Sequence, residues 1–251
     1  MKRFQILVVL VLFGFAGAVM AEGGHAHWDY EGHAGPAHWG ELSKDYEACA
    51  HGKNQSPVNI SKTETVQLDP LKPAYKASAF RIVDNGHTVQ VNFDKGNTLT
   101  VNGTTFDLVQ FHFHAPSEET FKGKAFDMVA HLVHKDAKGN LAVIAVEFNA
   151  ADNAAHATLS KLFKEIPTKV GEESKGSFQL NPADLLPAKL GYYTFAGSLT
   201  TPPCSEGVTW LVLKNAVATT KEQVGQFAKI HPRNARPVQP LNGRVIKASK
   251  E

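Results

Sequence analysis

Gln110-Phe111-His112-Phe113-His114 alternates strictly between polar and aromatic side chains, the two-residue period of an extended strand. Side chains two apart on a strand share a face. Gln110, His112 and His114 are therefore expected on one face, with Phe111 and Phe113 turned into a core on the other. Two imidazoles at this spacing on a stiff strand can reach one metal ion, although a His-x-His pair alone serves equally well as a solvated or structural pair. Downstream, Val129-Ala130-His131-Leu132-Val133-His134 offers two more histidines. Parity groups His131 with Val129 and Val133, and His134 with Met128, Ala130 and Leu132. A neighbouring strand can thus add His131 to the pair, while His134 reads as a hydrogen-bonded core residue. Three neutral nitrogens on rigid strands suit zinc and leave a fourth position open.

The same period extends outward from this stretch. From Phe80 onward, His87–Phe93, Thr98–Val101, Leu108–His114, Met128–His134, Leu141–Phe148 and Val208–Leu213 read as strands, with a turn at Asn102-Gly103. Helical spacing of Leu159, Leu162, Phe163 and Ile166 follows Asp152-Asn153 and is stopped by Pro167. Thr220-Lys221-Glu222-Gln223 predicts a capping box before Val224 and Phe227. Residues 22–40 are rich in Gly and His and contain Trp28, Tyr30 and Trp39, which predicts an irregular arm packed by its aromatics. Its histidines, His25, His27, His33 and His38, read as solvated loop residues. Many strands, few helices and no linker predict a mainly β fold, one large twisted and mostly antiparallel sheet in a single domain.

The 251 residues carry 26 Lys+Arg against 24 Asp+Glu, and 12 His. Lys2-Arg3, the apolar stretch from Phe4 to Val19 and Val19-Met20-Ala21 read as a signal peptide, cleaved after Ala21. A retained anchor is the alternative, but the stretch is short for a bilayer and no basic stop follows it. Removing residues 1–21 leaves 24 basic against 24 acidic residues, which argues against a nucleic-acid partner. Export would place Cys49 and Cys204 in an oxidising compartment. There they are expected to pair, two buried thiols being the alternative.

Several stretches together resemble the α-class carbonic anhydrases of the exported, periplasmic bacterial type. They are Trp28-Asp29-Tyr30, Gly35-Pro36, Gly52–Ile60, Asn85-Gly86-His87, Gln110–His114, Ser117-Glu118, His131–His134, Gly197–Pro203, Trp210 and Arg236–Leu241. The resemblance implies that His112, His114 and His131 hold Zn²⁺, and that zinc-bound hydroxide converts CO₂ reversibly to bicarbonate and a proton. It makes Thr200 a gatekeeper that donates to an ionised Glu118. Gln110 would fix the tautomer of His112, and a backbone carbonyl near Asn234 that of His114. Val133, Val143, Leu199 and Trp210 would wall the CO₂ pocket, with Thr201 and the Thr200 backbone meeting the anion. His87 would be the proton shuttle, with Tyr30, Asn85 and Gln90 ordering its waters. Cys49 and Cys204 match the disulfide of the exported members, which are often homodimers, and no membrane anchor is expected after processing.

One departure bears on the metal. The family places a glutamate two residues before the third histidine; here that residue is Val129, which accepts no hydrogen bond. His131 is then expected to use a backbone carbonyl or water, with Glu147 or Asp127 as substitutes, Asp127 lying on the right face but two residues further away, and to hold zinc less tightly. Phe195 and Glu119 are two smaller departures. A binding module that has lost its chemistry would need a broken ligand set, and a zinc peptidase would need a His-Glu-x-x-His helix; the sequence has neither. A zinc esterase activity remains compatible with the same residues.

Overall fold

A computed structural model describes residues 26–151 and 154–250; the expected signal peptide, His25 and the Asp152-Asn153 helix start lie outside the described residues. Alternation along the chain becomes strands whose two faces carry different chemistry. In chain order these include β1 (Glu64–Val66), β2 (Phe80–Asp84), β3 (Val89–Phe93), β4 (Thr104–His114) and β5 (Met128–Lys135). They continue with β6 (Leu141–Asn149), β7 (Glu173–Lys175), β8 (Tyr192–Ser198), β9 (Glu206–Leu213) and β10 (Lys247–Ser249). Within a thirteen-stranded sheet they lie in the order β7-β2-β3-β4-β5-β6-β9-β8-β10-β1. Most neighbours are antiparallel, as expected. The β6–β9 and β10–β1 pairs are parallel, because long crossovers separate their members in sequence.

Register sets the site. Across β4 and β5, His131 stands opposite His112 and Val129 opposite His114. Across β5, β6 and β9, Val133 pairs with Val143, and Val143 with Trp210. Phe111 and Phe113 are fully buried on the other face, in a core with Ala130, Leu132, Ile144 and Phe148. Each such phenylalanine contributes about 1.5–3 kcal/mol of apolar burial. A one-residue slip would expose both and drive His112 and His114 into that core, so the hydrophobic pattern locks the register that aims the histidines.

The helices are short: α1 (Trp39–Leu42), α2 (Glu47–His51), α3 (Ala157–Leu162) and α4 (Lys221–Ala228). The capping box at Thr220 and Gln223 forms as expected. The helix expected to run to Ile166 ends at Leu162, and residues 164 and 165 continue in i→i−3 turns, the usual tightening of a last turn. Leu159, Leu162 and Phe227 bury themselves in the core under the sheet, where Phe113 meets Phe163 and Phe227 at ring distances of 5.5 and 5.8 Å. The N-terminal arm is held by aromatics, with Trp28 5.4 Å from Tyr30 and 5.2 Å from Trp39. Its end is more regular than expected, since Trp39 opens α1. His134 lies in the core, 2.6 Å from the Tyr75 hydroxyl and 3.2 Å from the Ala142 carbonyl. Burial pulls its pKa down to about 4, so it is neutral.

Candidate metal centre and active site

Each of His112, His114 and His131 has one ring nitrogen taken by an acceptor and the other left over. His112 Nδ1 donates to Gln110 Oε1 at 2.8 Å, and His114 Nδ1 to the Asn234 carbonyl at 2.6 Å. His131 is turned the other way, its Nε2 donating to Glu119 Oε2 at 3.2 Å. The acceptors fix the tautomers, so the free lone pairs are on Nε2, Nε2 and Nδ1. Ligand nitrogens of the three rings lie within 4.8 Å of one another. Burial, followed by the neighbouring His131, pushes His112 down to about 3 and His114 well below the usual range. For His131 burial also pulls downward, but Glu119 and then Glu118 outweigh it and the net direction is up.

The buried polar atoms around this point lack partners. His114 Nε2 and Glu118 Oε2 are both buried and unbonded, 3.5 Å apart, and Glu118 Oε2 lies 3.8 Å from His131 Nδ1. Unpartnered buried polar atoms are rare and costly. Three converging imidazole nitrogens fit Zn²⁺ with a fourth corner free for solvent or substrate, and a cation there would take up the lone pairs and favour the charged form of the nearby carboxylate.

Glu118 and Glu119 are delivered side by side by the turn after β4. Ser117 pins that turn, its hydroxyl donating to the Glu119 carbonyl and accepting from Phe126 N. Glu118 Oε1 accepts from Arg236 N at 2.8 Å. Burial pushes the Glu118 pKa up to about 7, opposed by His131 and, more weakly, by the Thr200 hydroxyl and Arg236 N. The fully ionised Glu118 expected from sequence thus needs positive charge in the triad pocket to favour it. Arg236, which the sequence marks only as part of the Arg236–Leu241 stretch and without a role, is buried and donates to Gln55 Oε1, the Ser56 carbonyl and the Cys49 carbonyl. A lone arginine in a Pro-flanked loop carried no signal of this role.

The partner of His131 corrects the expectation of a carbonyl or water: it is a carboxylate. Asp127 is engaged elsewhere, accepting from Ala150 N at 2.8 Å. Glu147 faces Val129 across β5 and β6 but neither of its oxygens has a partner, and burial followed by Glu119 pushes its pKa well up.

Above the triad, Val143, Trp210, Val133 and Leu199 belong to one apolar cluster. Trp210 lies 4.9 Å from the His131 ring, edge to face, and its Nε1 donates to the Ser198 carbonyl. Gly197 makes room for it, since a Cβ there would come within 2.6 Å of the indole. Thr200 is buried and Thr201 half-buried, in a turn held by Leu199 N on the Ser205 carbonyl and Cys204 N on the Thr201 carbonyl. Cys204 is bonded to Cys49, 5.1 Å between Cα atoms.

His87 is half-buried in the Asn85–Thr88 turn and stacks on Trp28 at 3.7 Å. Burial lowers its pKa, with Asp29 opposing. Asn85 donates to Gln90 at 3.4 Å, and the Tyr30 hydroxyl is buried without a partner, its pKa raised by burial and then by Glu118. Trp28, which the sequence groups only with the aromatics of the arm, is the platform for His87.

The profile of eukaryotic-type carbonic anhydrases matches residues 34–250. A carbonic anhydrase of Pectobacterium carotovorum is 49% identical over 221 residues, 88% of this chain and 90% of that protein. One from Neisseria gonorrhoeae is 46% identical over 244 residues, 96% of each. The α-carbonic anhydrase of Thermovibrio ammonificans, solved with the inhibitor sulfanilamide, superposes with a TM-score of 0.86 at 43% identity, covering 89% of this chain and 100% of that one. A profile match across the sheet and the triad, together with relatives of that identity and coverage, places the chain in the α-class, eukaryotic-type carbonic anhydrase family.

Proposed function

We propose that this chain is an exported, zinc-dependent enzyme that hydrates CO₂ reversibly to bicarbonate and a proton, with His87 as proton shuttle. The convergence of three imidazole lone pairs, each tautomer fixed by an acceptor behind it, carries this reading. His112, His114 and His131 would hold Zn²⁺. When bound, the ion supplies Lewis acidity that lowers the pKa of a coordinated water to about 7, the value known for carbonic anhydrase sites.

The rest of the work falls to the chain. Glu118 as a carboxylate only accepts, so the Thr200 hydroxyl donates to it and turns its own lone pair toward the pocket. That gives the attacking oxygen one orientation. Val133, Val143, Leu199 and Trp210 offer an apolar berth that suits CO₂ and disfavours bicarbonate, and Thr201 meets the departing anion. His87 takes the proton through water ordered by Tyr30, Asn85 and Gln90, and passes it to buffer.

Purified protein should contain one zinc per chain and hydrate CO₂. Dialysis against dipicolinate should remove both metal and activity, and added zinc should restore them. Full activity in metal-free protein would reject the reading. His87→Ala should lower turnover by about 100-fold in dilute buffer, the low end of general acid–base contributions, with recovery in concentrated imidazole. Wild-type turnover in dilute buffer would remove His87 from the proton path.

We further propose that residues 1–21 are a signal peptide and that residues 22–251 act as a single periplasmic domain. The Cys49–Cys204 disulfide supports export, because oxidising compartments sustain such bonds. No helix among the described residues is long and apolar enough to cross a membrane.

A further inference from the structure

We propose that Glu119 is the positioning residue for His131, a task moved onto the turn after β4 because Val129 cannot perform it. The inference rests on His131 being a metal ligand, as proposed above. Val129 is buried with an apolar side chain on the same face as His131, so no acceptor comes from β5 itself. Glu119 reaches His131 Nε2 at 3.2 Å from outside the strand, and both side chains are essentially inaccessible.

The turn makes this contact a rigid one. Ser117 ties the Glu119 carbonyl to Phe126 N through its hydroxyl, and Asn234 Oδ1 accepts from Ala115 N at 2.9 Å. Consecutive carboxylates then bracket one imidazole: Glu118 lies 3.8 Å from Nδ1, Glu119 3.2 Å from Nε2. A carboxylate on Nε2–H holds the ring in the tautomer whose lone pair is on Nδ1, facing the other two histidines. Among the described residues no other acid reaches that nitrogen. Asp127 is bonded to Ala150 N. Glu147 has both oxygens buried without a hydrogen-bond partner, as has Glu119 Oε1.

The test compares wild type, Glu119→Ala and Glu119→Gln, all loaded with zinc, by the rate at which zinc passes to a chromophoric chelator. Glu119→Ala should release it about 10–100-fold faster, the usual cost of losing such a partner. Glu119→Gln, which keeps an acceptor oxygen, should fall between and preserves the fold if alanine does not. Side-chain ¹⁵N shifts of His131 in zinc-free protein, read at a pH alkaline enough that the ring is neutral, should report Nε2–H in wild type and a tautomer mixture in Glu119→Ala, a readout that a purely structural role would not move. Unchanged release and an unchanged tautomer in folded Glu119→Ala (or in Glu119→Gln if only that variant folds) would overturn the proposal. Wild-type protein that takes up no zinc would instead overturn the metal assignment, so the two readings fail separately.

Discussion

His114→Ala should bind less than a tenth of the wild-type zinc and lose more than about 1,000-fold in CO₂ hydration at pH 7–8, since uncoordinated water has a pKa near 15.7 rather than about 7. The His114 ring is fully buried, and its Nδ1 is fixed on the Asn234 carbonyl at 2.6 Å. It therefore has no alternative position from which to compensate. The β4–β5 ladder survives the change, because Val129 and His114 pair through their backbones. The carbonyl left without its donor costs about 1–3 kcal/mol, which a stable sheet tolerates. His134→Ala is the matched control: the same ring is deleted on the same sheet, but from the opposite face, where it bonds Tyr75. It should lower the melting temperature while leaving one zinc per chain. Metal analysis with stopped-flow hydration on both variants separates a ligand from a core histidine. Full zinc content and turnover in His114→Ala would refute the triad.

Period-two parity made this contrast readable from sequence. It assigned His112, His114 and His131 to one face and His134 to the other, because Phe111, Phe113, Ala130 and Leu132 have only one place to be buried. What parity does not reach is contact between segments distant in sequence. Arg236 meets Glu118 across 118 residues, and no local period records that. The parallel pairing of β6 with β9 was hidden for the same reason. The case of Glu119 is different. Its neighbour Glu118 was identified through a motif, whereas Glu119 looked like a minor departure, and the loss at Val129 looked uncompensated. Only the shape of the Ser117–Glu119 turn shows that a residue 12 positions before His131 can stand behind its ring. Helix limits were misjudged at Ile166 because apolar spacing does not distinguish an α-turn from the tighter turns that end it.

Breaking the Cys49–Cys204 bond should lower the melting temperature by up to roughly 10–20 °C. The bond spans 155 residues, and closing a loop of that size is worth up to about 5 kcal/mol in the unfolded chain. For a domain of this length each kcal/mol shifts the midpoint by about 2–4 °C. Cys49→Ser/Cys204→Ser tests this without leaving a reactive thiol. The change should also be felt at the site, because the two cysteines join elements that meet the chemistry separately. Cys204 closes the turn that carries Thr200 and Thr201, with Gln55 Nε2 on its carbonyl at 3.0 Å. Cys49 packs with Trp39 and Tyr46 in the small core to which Trp28 belongs, and Trp28 is the stacking platform of His87. Losing the bond should loosen both the turn that carries Thr200 and the arm behind His87, the proposed shuttle, while β4 and β5 keep the triad in register. Zinc content should therefore stay at one per chain in the double variant at 25 °C, with turnover in dilute buffer falling more than turnover in concentrated buffer. An unchanged melting temperature would mean that the sheet and the Arg236 hydrogen bonds already hold these elements together.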